Sequence, residues 1–162
     1  MQELSRTKSI LMELSFSFGT LNINGLHSEL KRFMLKNYIY QNGLDVVFLQ
    51  EVVNELVCDI PGYVSHCNIG TAQRGTAILL RNGLDLTSIT LLPDGRGISG
   101  ILGDILLVNI YAPSGSNNRS ARVKFFQEDI NILFRQNCEK IMFAGDFNCV
   151  TSQDDCTGQY VK

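Results

Sequence analysis

Lys140-Ile141-Met142-Phe143-Ala144-Gly145-Asp146-Phe147-Asn148 is the stretch on which the reading of the chain turns. Lys140 to Ala144 is a short apolar run with charge on one side and Gly145 on the other. Such a run reads as a buried strand that stops where glycine lets the backbone turn. Asp146 and Asn148 lie just past the strand end, two residues apart. Alternation along an extended chain aims both to one side, into whatever cleft lies there. A carboxylate and an amide together can accept a proton, hold a cation or donate a hydrogen bond to a phosphate oxygen. Gly, Asp and Asn are also common turn formers, and taken alone the stretch reads better as an ordinary loop. The segments on its N-terminal side decide between the two readings.

Immediately upstream, a helix is expected from about Ser120 to Gln136, with Val123, Phe126, Ile130, Leu133 and Phe134 along its core face. Before it, Ile105 to Tyr111 is an apolar strand halted by Pro113, followed by the polar loop Ser114 to Asn118. Short strands are expected at Tyr63 to Cys67, Thr76 to Leu80, Leu86 to Leu91 and near Ile98, separated by turn signals at Gly70, Asn82-Gly83 and Pro93-Asp94-Gly95. Asp45 to Leu49 is too continuously apolar to have a wet face and belongs centrally in a sheet, closed by Gln50 and Glu51. A helix precedes it, capped by Ser28, with Leu30, Phe33, Met34 and Tyr38 at helical spacing up to Gly43. The first strand alternates from Leu14 through Phe18 to Leu21 and Ile23; Asn22 and Asn24 share one face near its end. Residues 1–12 have no clear period and read as a leader or frayed end, leaving 13–162 as one domain.

The 162 residues are 44% hydrophobic and 19% charged, which fits one globular domain with its own core. A net charge of -2 supplies no broad basic field, so contact with nucleic acid needs a local patch or a bound cation. Five cysteines without a CxxC pair, and two histidines, argue against a disulfide framework or structural zinc and for a reducing compartment. The cysteines, Cys149 included, read as small packing residues. No apolar run is long enough for a signal-peptide core or a membrane span, so the expectation is a soluble, intracellular protein with no membrane partner.

The order of strands and helices is a mixed α/β layout, sheets covered by helices. Polar groups gather at strand ends: Asn22, Glu51, Tyr111, and Asp146 with Asn148. Five segments in this order resemble the endonuclease/exonuclease/phosphatase superfamily, the deoxyribonuclease-like fold. They are Leu21-Asn22-Ile23-Asn24-Gly25-Leu26, Phe48-Leu49-Gln50-Glu51, Gly75 to Leu80, Val108-Asn109-Ile110-Tyr111-Ala112-Pro113 and Gly145-Asp146-Phe147-Asn148. The first and fourth are closest in wording to the endonuclease domain of non-LTR retrotransposons.

The resemblance implies a layered α-β-β-α sandwich of mixed sheets with helices outside. It implies Glu51 as the carboxylate holding a divalent ion, Mg2+ or Mn2+, and Asn22 beside it in the metal and phosphate network. Asn24 is implied as a partner behind Asn22, with shaping of the turn at Gly25 as the plainer alternative. Tyr111 would touch the scissile phosphate, Asp146 would orient or deprotonate the attacking water, and Asn148 would hold a phosphate oxygen. Arg96 is implied as a contact to the nucleic-acid backbone. The implied reaction is metal-dependent hydrolysis of one DNA strand, with the freed 3′ hydroxyl priming reverse transcription. A reverse transcriptase region would then follow in the parent polyprotein, and the location would be nuclear. Arg119, Arg122 and Lys124 at a helix start could meet DNA phosphates, although a solvated basic helix end is the commoner outcome.

The family also places a further aspartate and a Ser-Asp-His motif downstream. No such motif occurs before Lys162, and neither His27 nor His66 replaces it. The chain is therefore expected to be the N-terminal two-thirds of a domain, incomplete at its C-terminus. Two other functions stay open: a catalytically dead remnant of the fold, or a member of the phosphatase and phospholipase branch.

Overall fold

Runs of Val, Ile and Leu become the central strands of two stacked sheets, as fully buried strands should. The computed structural model describes residues 15–26, 28–71 and 75–149. In the first sheet, β1 (Phe18–Asn22), β2 (Val46–Val52), β3 (Tyr63–Asn68) and β4 (Gly75–Arg81) lie in the order β1-β2-β4-β3. In the second, β5 (Thr87–Leu91), β6 (Gly97–Leu102), β7 (Ile105–Tyr111) and β8 (Lys140–Asp146) lie in the order β5-β6-β7-β8. Each sheet contains one parallel pair, β1 with β2 and β7 with β8. A parallel pair needs a crossover. The first is made by α1 (Glu29–Gln41), and the second by α2 (Arg119–Gln127) with a 3-10 segment at Asp129–Phe134.

Alternate residues of each central strand serve different cores. On β2 and β4, Val47, Leu49, Ala77 and Leu79 face α1 and meet Leu35 and Ile39. Their neighbours Val46, Phe48, Ile78 and Leu80 face the second sheet and meet Ile98, Leu102 and Leu107. On the far side of β7, Leu106, Val108 and Ile110 pack on Phe125 and Leu133. The result is the expected α-β-β-α sandwich. Truncating a fully buried leucine or isoleucine such as Leu49, Ile78 or Leu107 to alanine costs on the order of 2–5 kcal/mol. Among the described residues, no helix is long and apolar enough to cross a membrane.

Four local expectations are corrected. Among the described residues β8 pairs only with β7, at the end of its sheet, and Ile141 and Phe143 stand 51% and 37% exposed. Its apolar run signals pairing, and an edge strand shows the same run as a central one. On α1, Leu30, Phe33, Met34 and Tyr38 face outward, while Leu35 and Ile39 seat the helix. Two apolar stripes were available, and only the second matches the floor offered by β2 and β4. The helix expected to Gln136 ends at Gln127 and resumes as the tighter 3-10 segment, so Phe125 and Leu133 are buried while Val123 is exposed. The first strand occupies Phe18–Asn22, short of Ile23, and the turn beyond it takes Asn24 off the strand face. Leu14 and residues 1–12 lie outside the described residues, as does Cys156.

Candidate active site

The polar residues at the strand ends converge. β1 and β2 run parallel, so Asn22, whose register partner is Gln50, comes beside Glu51. β7 and β8 also run parallel, and Tyr111 is in register with Asp146. All four residues therefore emerge at the same end of the two sheets. Asn22 Nδ2 donates to Glu51 Oε1 at 2.9 Å and to Asp146 Oδ2 at 2.8 Å. Tyr111 Oη donates to Glu51 Oε1 at 3.1 Å, and the Asn148 backbone N–H donates to Asp146 Oδ1 at 2.9 Å.

The backbone is bent to bring this about. The register of β2 against β4 slips between Gln50 and Val52, and Glu51, the extra residue, sits at φ 58°. A bulge of this kind re-aims a side chain that regular alternation would point elsewhere. Asn148 stands at φ 47° and Asn24 at φ 44°. Non-glycine residues in this left-handed region cost on the order of 1 kcal/mol or more each, so surrounding contacts must hold them there. For the first turn the holding bonds are Asn24 N–H to Asn22 Oδ1 at 3.1 Å and Gly25 N–H to the Glu51 carbonyl at 3.1 Å. Asn24 thus both shapes the turn and orients Asn22 through its main chain. For the last turn, Phe147 stacks on Phe126 at 6.2 Å and meets Phe143 edge-on at 5.1 Å. Anchored in the helix layer, Phe147 leaves its two neighbours turned toward the cleft.

Beneath the site lies a buried amide bridge that the motif reading did not assign. Gln50 Nε2 donates to Asn109 Oδ1 at 2.7 Å and to Thr20 Oγ1 at 3.1 Å. Asn109 Nδ2 donates to the Leu49 and Ala77 carbonyls at 2.9 and 2.8 Å, joining one sheet to the other. Its signal was present: Asn109 interrupts Val108 and Ile110 in a strand otherwise apolar up to its last residue, Tyr111. Arg96 is joined to the backbone beside Tyr111. Its Nη1 donates to the Tyr111 and Ala112 carbonyls at 3.2 and 3.3 Å, and its guanidinium sits 5.0 Å from the centre of the Tyr111 ring. Burial, assisted by the Glu51 carboxylate, pushes the Tyr111 hydroxyl above its ordinary pKa, so at neutral pH it is a hydrogen-bond donor.

A cleft of about 880 Å³ opens beside Asn22, Asp146 and Asn148, and Arg119 and Arg122 line its far wall. Arg122 is spent on the Pro113 and Gly115 carbonyls, at 2.8 and 3.3 Å. Arg119 is exposed and makes no hydrogen bond or ion pair among the described residues.

The Endonuclease/Exonuclease/phosphatase family profile matches residues 19–159. The chain belongs to that family. Solved structures carry the same fold. D. rerio TDP2 humanized by 14 mutations superposes with a TM-score of 0.68 at 20% identity, over 82% of this chain and 62% of that one. D. rerio TDP2 complexed with a single strand DNA product gives 0.68 at 20% identity, over 83% and 61%. An AP endonuclease from Archaeoglobus fulgidus gives 0.67 at 18% identity, over 87% and 60%. The chain thus spans about three-fifths of the length of these structures.

Members of this family generally use divalent metals, and the donor set here suits one. Among the described residues, no three His, Cys, Asp or Glu side chains cluster. Glu51 and Asp146 nevertheless offer two carboxylates joined by one amide, an all-oxygen set with few protein ligands. Mg2+ takes oxygen, keeps most of its waters and is commonly held by one or two carboxylates. Glu51 has a second oxygen, Oε2, with no hydrogen bond among the described residues, which makes it the better ligand. Asp146, with both oxygens accepting hydrogen bonds, is the better-fixed acceptor.

Proposed function

We propose that this chain is the endonuclease part of a retrotransposon polyprotein, and that its cleft holds one DNA strand for Mg2+- or Mn2+-dependent phosphodiester hydrolysis. The observation that carries the reading is the Asn22 amide, which brings Glu51 from one sheet and Asp146 from the other to a single point. Glu51 would hold the cation, which would supply charge neutralisation for the phosphate as negative charge grows in the transition state. The chain's own residues supply the rest. Asp146 orients the attacking water and takes its proton. Asn148 keeps one amide N–H on the Ala112 carbonyl at 2.8 Å and has the other for a phosphate oxygen. Tyr111 fixes Glu51 through its hydroxyl and is assigned a contact to the scissile phosphate. Arg119 across the cleft meets a neighbouring phosphate of the same strand.

A DNA strand is the favoured substrate class because a structural neighbour, the D. rerio TDP2 complex, holds a single strand DNA product. The motif wording at Asn22 to Leu26 and Asn109 to Pro113 supports the retrotransposon branch, a following reverse transcriptase region and a nuclear location. Supercoiled plasmid is the test substrate. Nicking in Mg2+, absent in chelator and absent in Glu51→Gln, is the expected result. Hydrolysis of inositol phosphates without nicking would move the protein to the phosphatase and phospholipase branch. Neither activity, despite a Mg2+-dependent rise in Tm, would make it a remnant that keeps the site without turnover. The gene beyond codon 162 tests the polyprotein assignment: a Ser-Asp-His motif and then reverse transcriptase sequence are expected.

A further inference from the structure

Beyond Arg119 the cleft opens into a second space. A hollow of about 410 Å³ is lined by Arg119, Arg122, Val123, Phe126, Gln127 and Cys149. Arg119, Arg122 and Cys149 also line the cleft beside Asp146, so the two spaces share a wall. Cations on that wall suit a phosphate. The apolar remainder of the hollow has no part in holding one.

The sequence of α2 builds this surface. Arg119, Val123 and Gln127 stand at i, i+4 and i+8 and so form one row along the helix. Arg122 and Phe126 form the row beside it. No acidic residue falls within Arg119–Gln127, and Lys124 is paired with Asp129 at 3.9 Å, apart from the hollow. Val123 is 47% exposed although it lies in mid-helix. Phe126 is half-buried and held by other rings: it stacks on Phe147 at 6.2 Å and meets Phe125 edge-on at 5.4 Å. Gln127 gives its backbone carbonyl to Asn131 Nδ2 at 2.9 Å, while its side-chain amide has no hydrogen bond among the described residues.

We propose that this hollow takes one unstacked nucleobase of the strand in the cleft, laid against Val123 and Phe126 with its edge toward the Gln127 amide. The assignment rests on the reading of the cleft as a DNA site. Its lining matches a flat ligand with a polar rim: a fixed aromatic ring, an aliphatic ledge, and an amide that both donates and accepts. Single strands are held in this way, by cations along the backbone and by rings or guanidinium planes against the bases. Because Arg119 borders both spaces, a phosphate bound to it brings the attached base to the mouth of the hollow. The consequence is a preference for DNA that is single-stranded or unpaired beside the scissile bond. A paired base would first have to leave its stack.

The test is fluorescence anisotropy with a short single-stranded DNA oligonucleotide in which each base in turn is replaced by an abasic residue. It is run in Mg2+ on the Asp146→Asn protein, whose slow turnover leaves the strand intact. Removal of one particular base should weaken binding roughly 10-fold, as expected for a base stacked on an aromatic wall. Val123→Ser and Gln127→Ala, both at exposed positions, should each shrink that penalty severalfold. The salt dependence of binding and the Tm should not change, because the phosphate contacts and the core are untouched. Salt-dependent binding in which no base matters, or a penalty that both variants leave intact, would overturn the assignment and leave the cleft a DNA site. No binding of any strand, in a chain whose wild type also fails to nick plasmid, would remove both readings. Binding to phospholipid micelles that Val123→Ser weakens, without DNA binding, would give the hollow to an acyl chain instead.

Discussion

Glu51 Oε1 and Asp146 Oδ2, carried by different sheets, accept hydrogen bonds from the same nitrogen, Asn22 Nδ2, at 2.9 and 2.8 Å. Two carboxylates facing each other repel, and the amide between them is what offsets that repulsion when no cation is bound. Asn22→Asp removes the donor and adds a third carboxylate. In chelator this variant should lose about 1 kcal/mol of stability, read as a lower Tm, because the bonds are solvent-exposed. Mg2+ should restore most of the loss by neutralising the cluster. An unchanged Tm in chelator would show that the amide is not holding the carboxylates together.

The division of labour between the two carboxylates is separable. At a Mg2+ concentration ten times the Kd, binding should add about 1.4 kcal/mol to stability. Glu51→Gln should abolish that increment along with nicking. Asp146→Asn should retain more of the increment and still lower nicking by roughly 100-fold or more, since its work is on the water. Thermal melts with and without Mg2+, beside plasmid assays, read both. Equal loss of metal stabilisation in the two variants would put both residues in the metal's coordination sphere.

The bridge under the site predicts a stability effect without direct chemistry. Asn109 is fully buried, and replacing it by alanine strands the Leu49 and Ala77 carbonyls and the Gln50 amide at once. A loss of about 2–4 kcal/mol is expected in urea unfolding. Asn109→Asp should do no better, because an acceptor faces two carbonyls.

Much of this was legible in the sequence, and the exceptions share a cause. Glu51, Tyr111 and Asp146 were readable because each ends an apolar strand, and strand ends of one sandwich face one way. The apolar stripe of α1 was misread because periodicity marks a helix without saying which of two stripes finds a partner. β8 was misread because a run such as Ile141-Met142-Phe143 cannot reveal how many neighbours the strand has. The bulge at Glu51 left no mark in composition, since a glutamate at positive φ is imposed by tertiary contacts. The resemblance implied Arg96 as a phosphate contact and said nothing of its bonds to the Tyr111 and Ala112 carbonyls. Its cation–π contact with Tyr111 depends on strands β6 and β7 lying side by side.

Acid should loosen the molecule first at the start of β1. The Ser17 backbone N–H donates to Asp45 Oδ2 at 2.8 Å, the Ser17 hydroxyl adds a bond at 2.9 Å, and Arg81 lies 3.1 Å from Oδ1. The backbone N–H is the largest of the influences that hold the Asp45 pKa below 3.8. A depressed carboxylate contributes stability above the ordinary Asp range, and the contribution is lost as pH falls through its folded-state value. Wild type should therefore exceed Asp45→Asn in urea midpoint at pH 7, with the gap closing below pH of about 4. A gap that persists unchanged in acid would mean that Asp45 acts through shape rather than charge.

Gly145 sets the position of Asp146. Its φ is 140°, and a Cβ built there would stand 2.1 Å from the Ile110 carbonyl oxygen on β7. That oxygen belongs to backbone and cannot swing aside, so β8 must move. Gly145→Ala should cost at least about 2 kcal/mol. Because β8 pairs with one neighbour only among the described residues, the damage should stay local. Hydrogen exchange should quicken along Lys140–Asp146 while Val46–Val52, central in the other sheet, keeps its protection. Displacing β8 also carries Asp146 away from Asn22, so nicking should fall as it does for Asp146→Asn even where most molecules remain folded. Full protection of β8 together with lost activity would place the defect in the loop after Asp146 instead of in the strand.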